Sequence, residues 1–297
     1  MRRMLLLLLL CLVPVLALGE VVSLSDTLEV LPQRTYDWKG SKLVRSYQTE
    51  TLKYTIETTS VSDCKLYVTK LWMQDPGRQI KKATATWEEN LLLPEDMAAM
   101  VEGCALAING SGYVSPTFPE IPDNYPGTSE NYYYTPLGSL TITDGEIFRN
   151  LAGVPFYGLT LEYDGLHLNV GEDNEAVLAR NPTQTWSFYV GCPMIRDHES
   201  ILDRTWTFAN RHAARTVIAQ VDRNNYILIT ATSSVGISVC DVTDFLMKAF
   251  DPEWAYDLDG GPSSALIARN VGKKTLKVIY GGKSKDADIM AFVELEE

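Results

Sequence analysis

Thr216-Val217-Ile218-Ala219-Gln220-Val221, then Asp222-Arg223-Asn224-Asn225, then Tyr226-Ile227-Leu228-Ile229-Thr230-Ala231 is the stretch that decides the fold. Two runs of apolar and β-branched residues joined by four polar turn formers predict an antiparallel hairpin in the core. Asp222 is expected simply to be solvated in that turn. Outward from the hairpin, similar short runs recur. Lys65–Trp72 alternates with β-branched and aromatic residues, and Ala105-Leu106-Ala107-Ile108 is a buried run ending in Asn109-Gly110-Ser111-Gly112-Tyr113. Ser139–Ile142 before Asp144-Gly145 and Leu159–Tyr163 before Asp164-Gly165 predict hairpins, and Trp186–Val190 and Ala265–Ala268 two further strands.

Helices are fewer. Pro94 to Gly103 has Pro at its start, acids in its first turn and Gly beyond its end. Asp241 to Phe250 places Val242, Phe245, Leu246 and Ala249 on one face, with Asp241 as the expected N-cap. Hairpins with few helices predict an α+β fold, a single domain with a mixed β-sheet core and a few packed helices. Residues 114–136, with five prolines and Tyr132-Tyr133-Tyr134, predict a long loop, either packed down by its own tyrosines or offering them as a sugar platform.

Three polar turns stand at the ends of apolar strands: Asn109-Gly110-Ser111-Gly112, Arg215-Thr216, and Asp257-Leu258-Asp259-Gly260-Gly261-Pro262-Ser263-Ser264. Glycines there let backbone N–H groups approach a ligand. In this order and spacing, with Gly236–Cys240 before the second helix, the turns resemble those of the phosphodiester glycosidase family. The likeness spans roughly residues 64–297. Its departures from the family pattern are Ser111-Gly112-Tyr113, Cys240, Asp257 and Pro262, whereas Asn109, Arg215, Asp259, Gly260, Gly261, Ser263 and Ser264 are retained.

The resemblance implies hydrolysis of a sugar joined through its anomeric carbon to a phosphodiester. Arg215, with Thr216 beside it, would then grip phosphate through a bidentate fork. Asp259 would activate water or stabilise the cationic sugar. Asp257 would lie on the same face of an extended segment, about 6.5–7 Å away, so that the two carboxyls could share acid and base work. Asn109 and Gly110, the backbone of Gly260 and Gly261, and the hydroxyls of Ser263 and Ser264 would contact sugar or phosphate. The altered motifs support an alternative, a non-catalytic carbohydrate- or phosphate-binding protein of the same fold. Asn109-Gly110-Ser111 is also a glycosylation sequon, but modification is not expected at a strand end inside the proposed site. His167, His198 and His212 lack a partner constellation, although His212 lies three residues from Arg215. No cofactor is called for. The carboxylate-rich turn offers oxygen ligands of the kind a divalent cation takes, without a recognisable ligand spacing.

At the N-terminus, Arg2 and Arg3, the apolar stretch Leu5–Leu18 and Ala17-Leu18-Gly19 predict a secretory signal at residues 1–19, cleaved near Gly19-Glu20. Its apolar stretch is shorter than the ~20 residues of a membrane span, and Cys11 lacks the small residues that precede a lipid-modified cysteine. Residues 20–63 read as a polar leader or edge extension, with a strand-like patch at Leu52–Ile56, and 64–297 as the main domain. Removing the signal takes the formal charge from −12 to −14, which disfavours nucleic acid and anionic membranes as partners. Cys64, Cys104, Cys192 and Cys240 are widely spaced, with no metal-ligand pattern; disulfides and buried free thiols are both open.

Overall fold

The computed structural model describes residues 41–85, 91–113, 138–188, 192–270, 272 and 275–296. The expected signal peptide and the 114–136 loop therefore lie outside the described residues, as do the last two positions of the strand expected over Trp186–Val190. One sheet has eight strands in the spatial order β1 (Lys42–Gln48), β2 (Leu52–Val61), β3 (Cys64–Met73), β14 (Asn225–Ala231), β13 (Thr216–Asp222), β15 (Trp254–Asp257), β11 (Pro193–Arg196) and β12 (Glu199–Ser200). A second has five: β17 (Leu276–Gly281), β16 (Ala265–Arg269), β5 (Cys104–Asn109), β18 (Asp288–Val293) and β4 (Ile80–Thr84). β10 (Gln184–Trp186), β8 (Phe156–Glu162) and β9 (Gly165–Glu172) form a small sheet, and β6 (Leu140–Thr143) and β7 (Glu146–Asn150) a hairpin. Neighbouring strands in all four sheets run antiparallel.

The α+β fold expected from the sequence is observed. The helices are α1 (Pro76–Gln79), α2 (Pro94–Met100), α3 (Asn174–Leu178), α4 (Thr207–Asn210) and α5 (Val239–Ala249). Side-chain alternation assigns the layers. β18 sends Met290 and Phe292 into the apolar space between the two large sheets, where they join Tyr54, Leu71, Ile218, Leu228 and Tyr256. Its Ile289 and Ala291 face the other way, against Met97 and Ala98 of α2. β13 does the same across the larger sheet: Ile218 points inward, whereas Val217 and Ala219 pack on Val242, Phe245 and Leu246 of α5. The result is a helix–sheet–sheet–helix stack. Each Leu, Ile or Phe fully buried in it contributes about 1.5–3 kcal/mol of transfer free energy.

The two-residue β2–β3 turn, Ser62-Asp63, ends at the domain boundary expected after residue 63. Residues 42–61 thus lie in the same sheet as the strands that follow, with Leu52, Tyr54 and Ile56 fully buried in the central core. The Tyr54 hydroxyl donates to the Ala105 carbonyl of the facing sheet at 3.2 Å.

Local chemistry corrects three expectations. The N-cap of α5 is Ser238, not Asp241: the Ser238 hydroxyl accepts the Asp241 N–H at 3.0 Å and donates to the Asp241 carboxylate at 2.7 Å. Serine and the acid three residues later thus form a reciprocal cap, and the helix starts a turn earlier. Asp222 is exposed, yet it also builds its turn by accepting the N–H groups of Asn224 (2.9 Å) and Asn225 (3.0 Å). The β8–β9 turn centres on Tyr163-Asp164 rather than Asp164-Gly165, because Gly165 already pairs with Glu162. Cys64, Cys104, Cys192 and Cys240 are all free thiols, the first three buried. No helix among the described residues is long and apolar enough to cross a membrane.

Ser238→Ala should lower the unfolding free energy by about 1 kcal/mol, seen as a fall in Tm of roughly 2–4 °C. An unchanged thermal melt would refute the assigned cap.

Candidate active site

The three polar turns meet where β5 and β15 end and β13 begins. Asn109, the last residue of β5, has no accessible surface. Its amide nitrogen donates to the Asp259 carbonyl at 2.7 Å, and its amide oxygen accepts both the Thr216 hydroxyl at 2.7 Å and the Ala265 N–H at 3.0 Å. Asn109 and Thr216, expected to touch the substrate, instead bind the three turns to one another. The sequon asparagine is sealed in the fold, which leaves no room for a glycan.

Gly110 has a close-approach role. A Cβ there would lie 2.0 Å from Asp288 Oδ1 and 3.0 Å from the Trp186 ring. The Asp288 carboxylate uses that space to accept the Ser111 N–H at 2.6 Å. Gly261 has φ +60°, a left-handed conformation that favours glycine, and its N–H donates to the Ala214 carbonyl at 2.8 Å. Gly261–Ser263 then forms a single 3₁₀ turn with Pro262 at its centre, bringing the Gly260 N–H and the Ser263 hydroxyl to Asp259.

Arg215 does not offer a free fork. It is 2% exposed. Its guanidinium donates to Asp257 Oδ2 (3.2 Å), to the carbonyls of Arg211 (2.7 Å) and Phe208 (3.2 Å), and more loosely to that of Ile237 (3.5 Å), and it stacks 4.4 Å from the Phe208 ring. Three backbone carbonyls and a buried carboxylate consume the donors that the sequence assigns to phosphate. Asp257, also fully buried, is the counter-ion of Arg215 and lies beneath the turn rather than in its opening. Burial pushes its carboxyl up to about 7; Arg215 opposes this and Asp259 adds to it.

Asp259 is the half-buried carboxylate of the cluster. Its Oδ1 accepts the Gly260 N–H at 2.8 Å. Burial raises its pKa to about 6, the Ser263 hydroxyl and Gly260 N–H hold it down, and Asp288 raises it. At neutral pH it is mostly ionised, as a base or cation-stabilising group requires. His212 is exposed. His198 pairs with the Asp251 carbonyl, and His167 with Asp164, away from the turns.

Three further charged residues belong to the site. Asp286 and Asp288 come from the entry to β18, and Lys82 from β4. Lys82 and Asp288 have no exposed side-chain surface and pair at 3.1 Å, and the ammonium also donates to the Thr185 carbonyl at 2.7 Å. Asp286 is 1% exposed, and among the described residues its carboxyl has no ion-pair partner, only the Ser263 hydroxyl beside it. Burial raises it to about 8; Ser263 opposes, and Asp259 and Asp288 reinforce. The sequence carries a faint signal for these residues. Lys82 shares a strand face with buried Ile80, and Asp286 and Asp288 alternate just ahead of an apolar strand.

The carboxylate turn does not gather a cation-ligand set. Among the described residues, the ligand atoms that converge to within 4.8 Å belong to Glu162, Asp164 and His167. That group is internally paired, Arg180 on Glu162 and His167 on Asp164. Clefts of about 740 and 410 Å³ lie around α2 and β17 and around β9 and β11. Neither is lined by the turn residues; the unpaired buried carboxyls point to the turns as the place of chemistry.

A family profile described as phosphodiester glycosidase matches residues 102–291, and the chain belongs to that family. The matched segment contains all three turns and both acids of the β18 entry. No curated protein matches at a significant level. Among solved structures, the catalytic domain of zebrafish N-acetylglucosamine-1-phosphodiester alpha-N-acetylglucosaminidase, auto-inhibited by its pro-peptide, is similar with a TM-score of 0.63 at 15% identity, over 86% of this chain and 88% of that one. A hypothetical protein from Synechocystis is similar with a TM-score of 0.53 at 13% identity, over 87% of this chain and 64% of that one. At these identities the likeness concerns the fold.

Arg215→Met leaves Asp257 buried without its counter-ion and should cost about 3–5 kcal/mol of stability near pH 8. The loss should shrink near pH 5, where Asp257 takes up a proton. More broadly, the folded-state values of Asp257, Asp259 and Asp286 all lie above 3.8, at about 7, 6 and 8. The native state therefore holds more protons than the unfolded chain, and urea midpoints should fall as pH rises between about 4 and 8. A native Arg215→Met protein with an unshifted midpoint would contradict the ion-pair assignment.

Proposed function

We propose that this protein is an exported glycosidase that cleaves the anomeric C–O bond of glycosyl phosphodiesters on envelope or exopolysaccharide glycans. Membership of the phosphodiester glycosidase family supports the reaction class. The observation that carries the site is Asp259, a carboxylate at the meeting point of three turns, its backbone carbonyl tied by Asn109 and its Oδ1 by the Gly260 N–H. The signal-like N-terminus supports export.

The leaving phosphate is already a stable anion, so its departure asks less of a general acid than ordinary glycoside hydrolysis does. The harder tasks are to stabilise the oxocarbenium-like sugar and to deliver water to it. Asp259 suits both, because its ionised carboxylate lies opposite developing positive charge and can accept a proton from the attacking water. Rigidity comes from beneath, through the Asn109 contacts and the Arg215–Asp257 pair, which hold the turn without entering the reaction. The internal commitment of Arg215 also supports a second reading, in which the chain keeps the fold and binds glycans without turnover.

A panel of chromogenic sugar-1-phosphodiesters should include at least one member that the purified chain hydrolyses, with kcat/KM falling as pH drops through about 6. Asp259→Asn should reduce turnover by about 10²–10⁴-fold while leaving the thermal melt native-like. Retention of panel members without hydrolysis would favour the binding protein. Equal turnover by wild type and variant would remove Asp259 from catalysis.

A further inference from the structure

The charge inventory of the site poses a problem for an anionic substrate. Asp257, Asp259, Asp286 and Asp288 converge, and the two buried cations are committed, Arg215 to Asp257 and Lys82 to Asp288. Neither has a donor to spare: the guanidinium is taken up by Asp257 and three backbone carbonyls, and the ammonium by Asp288 and the Thr185 carbonyl. Among the described residues, phosphate arriving beside Asp259 would thus find both buried cations of the site already paired.

Asp286 has the placement of a neutral donor. Its backbone is locked by a two-way bridge to Leu92, with Asp286 N–H to Leu92 carbonyl at 2.8 Å and the reverse bond at 3.3 Å. Its carboxyl is 1% exposed, has no ion-pair partner among the described residues, and adjoins the Ser263 hydroxyl that also serves Asp259. A buried carboxylate without a partner is costly, whereas the acid is tolerated and can donate.

Resting on the glycosidase reading above, we propose that Asp286 in its protonated form is the catalytic residue that hydrogen-bonds the departing phosphate, in place of the usual arginine or lysine. In the step, the anomeric C–O bond breaks and its electron pair goes to the phosphate oxygen. Water adds to the anomeric carbon and gives its proton to Asp259. Asp286 keeps its own proton and stabilises the phosphomonoester by donation. A carboxylic acid kept neutral so that it can donate has precedent in apolar sites.

The groups that act on Asp286 are the carboxyls of Asp259 and Asp288, both of which raise it, and the Ser263 hydroxyl, which lowers it. Lys82, from β4, is neutralised by Asp288. Lys285, the preceding residue, is exposed, and its carbonyl accepts the Tyr113 hydroxyl at 3.2 Å. With Asp286 near 8, the donor is present at neutral pH and lost in alkaline solution.

Asp286→Asn keeps a donor but cannot titrate, whereas Asp286→Ala removes it. On a sugar-1-phosphodiester, wild-type kcat/KM should fall above about pH 8. Asp286→Asn should stay within about tenfold of wild type at pH 7 and lose that alkaline limb, and Asp286→Ala should lose about 10²–10³-fold. Asp286→Asn as inactive as Asp259→Asn, or an alkaline limb that persists in it, would overturn the proposal and leave the glycosidase reading standing.

Calorimetry with dimethyl phosphate, a monoanion across this range, reads the contact without turnover. The wild type should bind it more tightly at pH 7 than at pH 9, Asp286→Asn equally at both, and Asp286→Ala weakly at both. If no sugar phosphodiester is hydrolysed but this pattern appears, the hydrolase reading fails and the phosphate contact survives. Binding indifferent to pH and to Asp286 overturns the contact itself.

Discussion

The side-chain amide of Asn109 is the constraint on which the site depends. One amide joins the end of β5 to the start of β13 and to both sides of the Asp257–Ala265 turn, through contacts of 2.7, 2.7 and 3.0 Å. These segments belong to different sheets, so the amide also fixes how the two large sheets meet at that end. Burial makes the arrangement stringent, since a sealed amide that lost a partner would leave an unsatisfied polar group costing about 1–3 kcal/mol. The Gly110 close approach to Asp288 follows from the same geometry. A side chain there would push the turn away from β18.

Around that amide, the electrostatics divide into structural and reactive parts. Arg215 with Asp257, and Lys82 with Asp288, are buried pairs whose partners and extra hydrogen bonds are internal. Such pairs add little net stability but make loss of either member expensive. Their donors are taken up within the fold around the turn. Asp259 and Asp286 remain, each without a cation and both close to Ser263. Their differing environments, one half-buried and one sealed, separate their protonation behaviour, which is how two carboxyls acquire different tasks.

The fold was readable where local chemistry and tertiary environment agree. The Thr216–Ala231 hairpin, the Asp144-Gly145 turn and the apolar face of α5 each follow from residue type and period, and each appears with small shifts in boundary. Residues 42–61 are harder, because β2 is rich in Thr, Ser and Glu and β1 is exposed along most of its length. Only every second side chain of such a pair faces the core. The site was half legible. The glycine and serine turns mark its location, but residue type cannot reveal whether an arginine points outward or is consumed within. Arg215 read as a phosphate fork is a counter-ion, and Asn109 read as a ligand contact is a tie between turns. Asp286 and Asp288 carried almost no signal, because two aspartates before a strand look like an ordinary turn until β18 brings them beside Asp259.

In the proposed step the Asp286 carboxyl and the Ser263 hydroxyl, rather than Arg215, receive the phosphate. The most direct test is a crystal structure of the protein with a sugar-1-phosphonate diester whose bridging oxygen is replaced by a methylene group. Phosphonate oxygens are expected at hydrogen-bonding distance from the Asp286 carboxyl and the Ser263 hydroxyl, the anomeric carbon beside Asp259, and Arg215 still on Asp257. A phosphonate held by the Arg215 guanidinium, or seated away from these turns, would contradict it.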